Sequence, residues 1–154
     1  MGKKNGDKTE VLEVSKPRYR WWGFIRNVIR DYPILKRDLD ELRSQSVTAN
    51  LSGMPRGGGS GRTIEAVALR CLPADDQKMY DAVARAIEMT RLRPDGKERL
   101  DLITMMYWSP RPITAKSSAL LLHISERTAK RWHGNFVRLV GFCYGFEVGT
   151  PEPK

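Results

Sequence analysis

The chain has little of the chemistry that most enzymes depend on. Its 154 residues include only two cysteines and two histidines, and HExxH, CxxC and nucleophile-elbow motifs do not occur. The carboxylate pair Asp75–Asp76 falls at an expected helix start, where capping explains it. We therefore expect a protein that is not an enzyme and that uses no cofactor.

The cysteines and histidines also do not predict a metal site. Cys71, Cys143, His123 and His133 lack the spacing of a zinc motif. Both cysteines lie among apolar residues, so we expect small core residues in a reducing compartment. Packing in a turn is the expected role of His123.

Long apolar runs are missing as well. No stretch approaches the roughly 20 apolar residues that span a bilayer. The beginning of the chain, MGKKNGDKTEVLEV, lacks the apolar centre of a secretion signal. These absences predict a cytoplasmic protein without a membrane partner.

Positive charge is what the chain has in excess. Lysine and arginine total 27 against 18 acidic residues, which gives a net charge of +9 and an isoelectric point near 9.8. Such a balance indicates a polyanionic partner. The length suits one domain, with or without an additional arm.

The most informative stretch is 114–142, which reads as two helices joined by a short turn. Thr114 and Ser125 are the expected N-caps, because each hydroxyl can accept a bond from a free backbone N–H. Ala119 is small enough for the first helix to approach the second closely. The second helix carries an apolar stripe at helical period, consisting of Ala129, Trp132, Phe136, Leu139 and Val140.

The opposite face of the second helix is basic. At 100° per residue, Arg127, Lys130, Arg131 and Arg138 fall together around Gly134. This pattern is typical of a helix-turn-helix whose second helix enters the major groove, where arginine forks match guanine edges. At Gly134 the backbone could approach a phosphate, and His133 flanks the same face. The alternative interpretation is a solvated basic face in an ordinary helical bundle.

The N-terminal part divides into two segments. Residues 1–19 form a basic polar arm, which either tracks phosphates or is a disordered terminus. Residues 20–46 form a helical arm in which Pro33 opens or kinks a second segment. Between Trp21 and Leu42, this arm either mediates homodimer or higher homo-oligomer formation or docks on its own domain. Its basic aromatic beginning also permits contact with a membrane surface, although packing on a helix is the better explanation.

The remaining segments predict an all-α fold. Residues 47–62 are a glycine-rich linker that lacks the lysine of a phosphate-binding loop. Residues 63–145 form the helical bundle that ends in the helix-turn-helix, and residues 146–154 are a tail. Within the bundle, helices are expected from Thr63, from Asp75 or Asp76, and from Lys97, and no segment has the pattern of a long strand.

The order of these parts resembles the RinA family of phage transcriptional activators, with the ArpU-type late regulators nearby. The resemblance covers residues 32–145 and rests on ILKRDLDELR, RGGGSGR, LDLITMMYW and ITAKSSALLLHISERTAKRWHGNFVRLVG. The last motif is also similar to the fourth region of sigma factors. The resemblance implies binding near a phage promoter, in the host bacterial cytoplasm, and activation of late genes together with host RNA polymerase.

Positions carried over from the resemblance place Ser125 at the start of the recognition helix, with the following side chains in the groove. Together with the helix faces, this gives a candidate set for contacts with double-stranded DNA: Thr114, Lys116, Ser125, Glu126, Arg127, Thr128, Lys130, Arg131, His133, Gly134, Asn135 and Arg138. Two other functions remain open. A small terminase subunit would recognise DNA for packaging, and a helical adaptor would bind a protein through the segment from Trp21 to Leu42.

Overall fold

The computed structural model describes residues 19–50 and 71–148, and for 46–50 the backbone alone. The arm before residue 19, the linker from residue 51, most of the helix expected from Thr63 and the end of the tail lie outside these residues. The described part contains five α-helices and no strand, which confirms the all-α prediction. They are α1 (Trp22–Asn50), α2 (Ala74–Arg91), α3 (Gly96–Ile103), α4 (Ala115–Leu121) and α5 (Glu126–Tyr144). None of these helices combines the length and apolar character needed to cross a membrane.

Helix α1 docks on the rest of its own chain. Ile25 and Ile29 are fully buried and belong to the main core. Further along, Leu35 and Leu39 form a second buried group with Leu72. Of the two alternatives for this segment, the structure therefore shows docking. The helix also continues through residues 47–50, which were expected to begin the linker.

Pro33 lies inside α1 and does not start a new helix. Because proline has no N–H, the carbonyl of Ile29 loses its helical partner. The indole Nε1–H of Trp108 donates to that oxygen at 2.7 Å. A side chain from a distant part of the chain thus replaces the missing backbone bond, which explains how one helix runs through the proline.

Helices α2 and α5 pack closely and form the centre of the core. Val83 and Ala86 on α2 meet Val137 and Val140 on α5, and all four are fully buried. The apolar stripe predicted on α5 is confirmed. The helical period of the sequence also predicts an apolar face on α2, and the structure buries or half-buries all of it: Met79, Val83, Ala86, Ile87 and Thr90. Since α5 also contacts α1, α3 and α4, its orientation is fixed by every other helix.

Two expectations about the start of α2 are wrong, namely the capping role of Asp75 or Asp76 and the burial of Cys71. Pro73 occupies the N-cap of α2, and Asp75 and Asp76 lie inside its first turn without a capping hydrogen bond. Their carboxylates instead face the positive end of the helix dipole. Cys71 is exposed in the bend before α2, because Leu72 takes the buried place there, whereas Cys143 is half-buried against the core.

We predict that Pro33 and Trp108 are energetically coupled. Trp108→Phe removes the donor to a carbonyl of the fully buried Ile29 and should cost about 1–3 kcal/mol of unfolding free energy. In a Pro33→Ala background the cost should be smaller, because the alanine N–H can bond the Ile29 carbonyl. Urea unfolding of the four proteins in this cycle measures the coupling. An equal cost in both backgrounds would contradict this account.

Candidate nucleic-acid interface

The pair α4 and α5 begins at the two predicted caps. The Oγ1 of Thr114 accepts the backbone N–H of Ser117 at 3.2 Å, and the Oγ of Ser125 accepts that of Thr128 at 3.0 Å. Both N-cap predictions are confirmed. Residues 122–125 alone separate the two helices, so the cap at Ser125 determines where α5 begins relative to α4.

A small separate core holds this pair together. Ala119 on α4 and Ala129 on α5 are buried with Trp132 and with Leu102 of α3. The close approach predicted at Ala119 is confirmed, whereas the contribution of Leu102 was not predicted. Because Ala119 and Ala129 are both small, α4 and α5 can lie close together, and both pack against Leu102 of α3.

The turn between the helices does not bury His123. This residue is exposed and has a left-handed backbone with φ of 54°. The expectation that packing explains His123 is therefore wrong. The short turn requires a left-handed backbone at residue 123. Histidine adopts this conformation more readily than most residues, which explains its presence here.

The exposed cations of this region form what we call the basic patch, consisting of Lys116, Arg127, Lys130 and Arg131. The Nζ of Lys130 lies 2.7 Å from Glu126 Oε1. This hydrogen bond and the charge of Lys130 lower the pKa of the Glu126 carboxyl, and the charge of Lys116 lowers it further. Lys116 on α4 thus lies near enough to act on the charge of Glu126 at the start of α5.

Thr128, Asn135 and Arg138 of the candidate set are not part of the basic patch. Thr128 is half-buried, and its hydroxyl lies 2.8 Å from that of Ser125. Asn135 and Arg138 are half-buried and line a cleft beside the turn between α2 and α3. The structure thus separates the exposed first two turns of α5 from its covered second half.

His133 lies in a polar chain that leads to α1. Arg26 Nε donates to Tyr107 Oη at 3.2 Å, and this hydroxyl lies 2.7 Å from His133 Nε2. Because the guanidinium can only donate, the Tyr107 proton is free to point at a neutral imidazole. Burial and the nearby charge of Arg26 lower the pKa of His133 to about 4. The residue is thus half-buried and uncharged at neutral pH, and it does not add a cation to the patch.

The aromatic start of α1 covers the glycines of α5. A Cβ on Gly134 would lie 3.8 Å from the Trp22 ring, and one on Gly141 would lie 2.7 Å from the Trp21 ring. Gly134 is half-buried, and the Trp22 ring lies on the side of the helix to which a Cβ would point. The expected approach of a phosphate at Gly134 stays a prediction. Gly134 and Gly141 are seven positions apart and share one helix face. This spacing in a sequence indicates a surface on which large aromatic side chains can pack.

Among the described residues, no three His, Cys, Asp or Glu side chains are grouped so that they could hold a metal ion. Neither a protein-family model, nor a curated protein, nor a solved structure matches the chain. The resemblance to the RinA family therefore stays a prediction that rests on the sequence motifs.

We predict that Gly141→Ala destabilises the protein. The new methyl group would displace the Trp21 indole, which stacks on Phe146 with centroids 5.5 Å apart. Overpacking of this kind costs about 1–3 kcal/mol, more than the helix gains from alanine. Gly23→Ala is the matched control, because no atom lies within 4 Å of its Cβ position. Thermal unfolding that ranks the two variants equally would refute the contact.

We predict that His133 makes the fold less stable in mild acid. Its pKa of about 4 in the fold lies below the ordinary 6.5, so the unfolded chain takes up a proton first as the pH falls. Stability is therefore complete above about pH 6.5 and decreases toward pH 4, by up to about 3 kcal/mol. Urea unfolding at several pH values should show a weaker dependence for His133→Gln. His123→Gln, at an exposed site, should keep the full dependence; two identical profiles would exclude His133 as the source.

Proposed function

We propose that the chain is a sequence-specific DNA-binding protein of a phage or prophage that activates late genes for packaging and morphogenesis. The observation that carries this proposal is the basic patch. Its arginines lie in the first turns of a helix that follows a short turn, with a hydroxyl cap at each helix start. Exposed cations in this position suit a duplex whose phosphates flank the groove.

In this proposal α5 enters the major groove by its N-terminal end. Arg127 and Arg131 lie about one turn apart on one side of α5, where their forks can reach base edges. Lys116 and Lys130 supply charge to phosphates, and the exposed hydroxyls of the two caps add polar contacts. Activation further requires contact with host RNA polymerase, which is the partner that the RinA resemblance implies.

The covered residues narrow the proposed contact set. His133 bonds Tyr107, and Gly134 faces Trp22, so neither is assigned a DNA contact. The apolar stripe of α1 is likewise occupied, because Leu35 and Leu39 pack within the chain. The adaptor hypothesis places a second protein on the segment from Trp21 to Leu42, and these buried leucines are not available to it. The observations therefore favour DNA as the partner.

The proposal is tested by selecting fragments of the source genome that bind the full chain at near-physiological salt with excess competitor DNA. We expect enrichment of a fragment just upstream of a promoter. Enrichment within or beside a packaging gene, without a promoter, would instead support the small terminase. Absence of any enriched fragment from a folded sample would contradict sequence-specific binding.

On the selected fragment, we predict that Arg127→Ala and Arg131→Ala each weaken binding by about 1–3 kcal/mol, because each removes a fork that reads a base. Arg37→Ala is the control, since it deletes an exposed arginine on α1, outside the basic patch. Fluorescence anisotropy on specific and scrambled duplexes measures the difference. An equal loss on both duplexes would make the residue a phosphate contact, and a loss no larger than that of Arg37→Ala would refute the proposed recognition helix.

A further inference from the structure

A cleft of about 410 Å³ lies between α5 and the turn that joins α2 to α3. This volume is within the range of small-molecule sites, roughly 300–1,000 Å³. Phe136, Leu139 and Phe142 form an apolar wall, and Phe142 is 63% exposed. Arg93, Arg99 and Arg138 also line the cavity, and none of the described residues that line it is an aspartate or glutamate.

One arginine of the cleft is held in place from outside. Arg99 Nη2 lies 2.8 Å from Asp95 Oδ2, and the Arg99 side chain is only 15% exposed. Its guanidinium lies over the Trp132 ring at 5.0 Å. These contacts restrain Arg99, so a ligand would meet a cation that is already ordered.

Three buried N–H donors belong to residues that line the cleft, and no atom of the described protein accepts from them. They are the Nε atoms of Arg99 and Arg138 and the Nε1 of Trp132, whose side chain is only 9% exposed. Within the described residues, these are the buried side-chain polar atoms that lack a partner, and every one belongs to a residue that lines this cleft. Since buried donors are normally satisfied, their clustering points to an acceptor that a ligand supplies.

We propose that this cleft binds a small organic phosphate of the nucleoside monophosphate class. Phosphate offers several acceptor oxygens and matches arginine forks, so it suits the donors of Arg99, Arg138 and Trp132. The apolar wall, with its exposed Phe142, provides a surface for a planar base. The site is separate from the basic patch and does not depend on the proposed recognition of DNA.

The indole N–H of Trp132 gives a local readout. The chain has four tryptophans, so its ¹⁵N-edited spectrum can show four indole signals, and Trp132→Phe identifies the one at the cleft. Titration of the full chain with AMP should move that signal selectively. Adenosine and inorganic phosphate, tested separately, should each bind more weakly. Absence of a selective shift at millimolar AMP would overturn the proposal.

A duplex titration separates the two sources of phosphate. If duplex DNA moves the Trp132 indole and AMP does not, the cleft belongs to a DNA surface and the proposed small-ligand site is refuted. Arg127→Ala, in the basic patch, should leave AMP binding unchanged. Failure of the cleft and failure of the recognition helix are therefore distinguishable.

Variants then test the assigned donors. Arg138→Gln should weaken AMP binding about tenfold, because it removes one fork from the cleft. Arg85→Gln is the matched control, since it deletes an exposed arginine of α2 outside the cleft. Equal weakening in both would show diffuse charge attraction and refute the site. If Arg138→Gln does not fold, Arg93→Gln, an exposed lining residue, makes the same comparison.

Discussion

The burial of α5 by its neighbours is the constraint on which the rest of the structure depends. Val137 and Val140 are fully buried in the main core, and Ala129 is fully buried in the smaller one. On a further side, Trp21 and Trp22 cover Gly141 and Gly134. What α5 can present to a large partner is therefore what these contacts leave exposed, which is chiefly its first two turns.

The π-helical turn Thr104–Trp108, which continues α3, connects α1 to α5. Its last two residues, Tyr107 and Trp108, form side-chain hydrogen bonds with α1 and α5. Tyr107 lies between Arg26 and His133, and Trp108 bonds the carbonyl that Pro33 leaves free. These bonds pair polar groups of α1 and α5 with the side chains of this short turn, which thus links the two helices. The orientation of the basic patch follows from contacts outside the helix pair.

The sequence predicted the features that depend on local chemistry. The caps at Thr114 and Ser125 and the apolar stripes of α2 and α5 require only a hydroxyl at a helix start and a 3.6-residue period. The exposure of Cys71, the single helix through Pro33 and the covering of Gly134 depend on distant residues. A helical period shows which face of a helix is apolar, but it does not show which distant side chain packs beside a glycine on another face. The sequence therefore does not indicate that Trp22 lies against Gly134.

The cations of the chain lie in two different environments, the exposed basic patch and the partly buried cleft. The cations of the basic patch are exposed, so salt screens them and their attraction to a polyanion falls as ionic strength rises. In the cleft, Arg99 is mostly buried and bears an unbonded donor, as does Arg138. Screening acts less on buried charges, and an unsatisfied donor gains more from one well-placed acceptor than from diffuse attraction. The net charge predicts an anionic partner without indicating its size. Exposed arginines suit a long, hydrated anion, whereas buried arginines suit a small anion that fits a cavity.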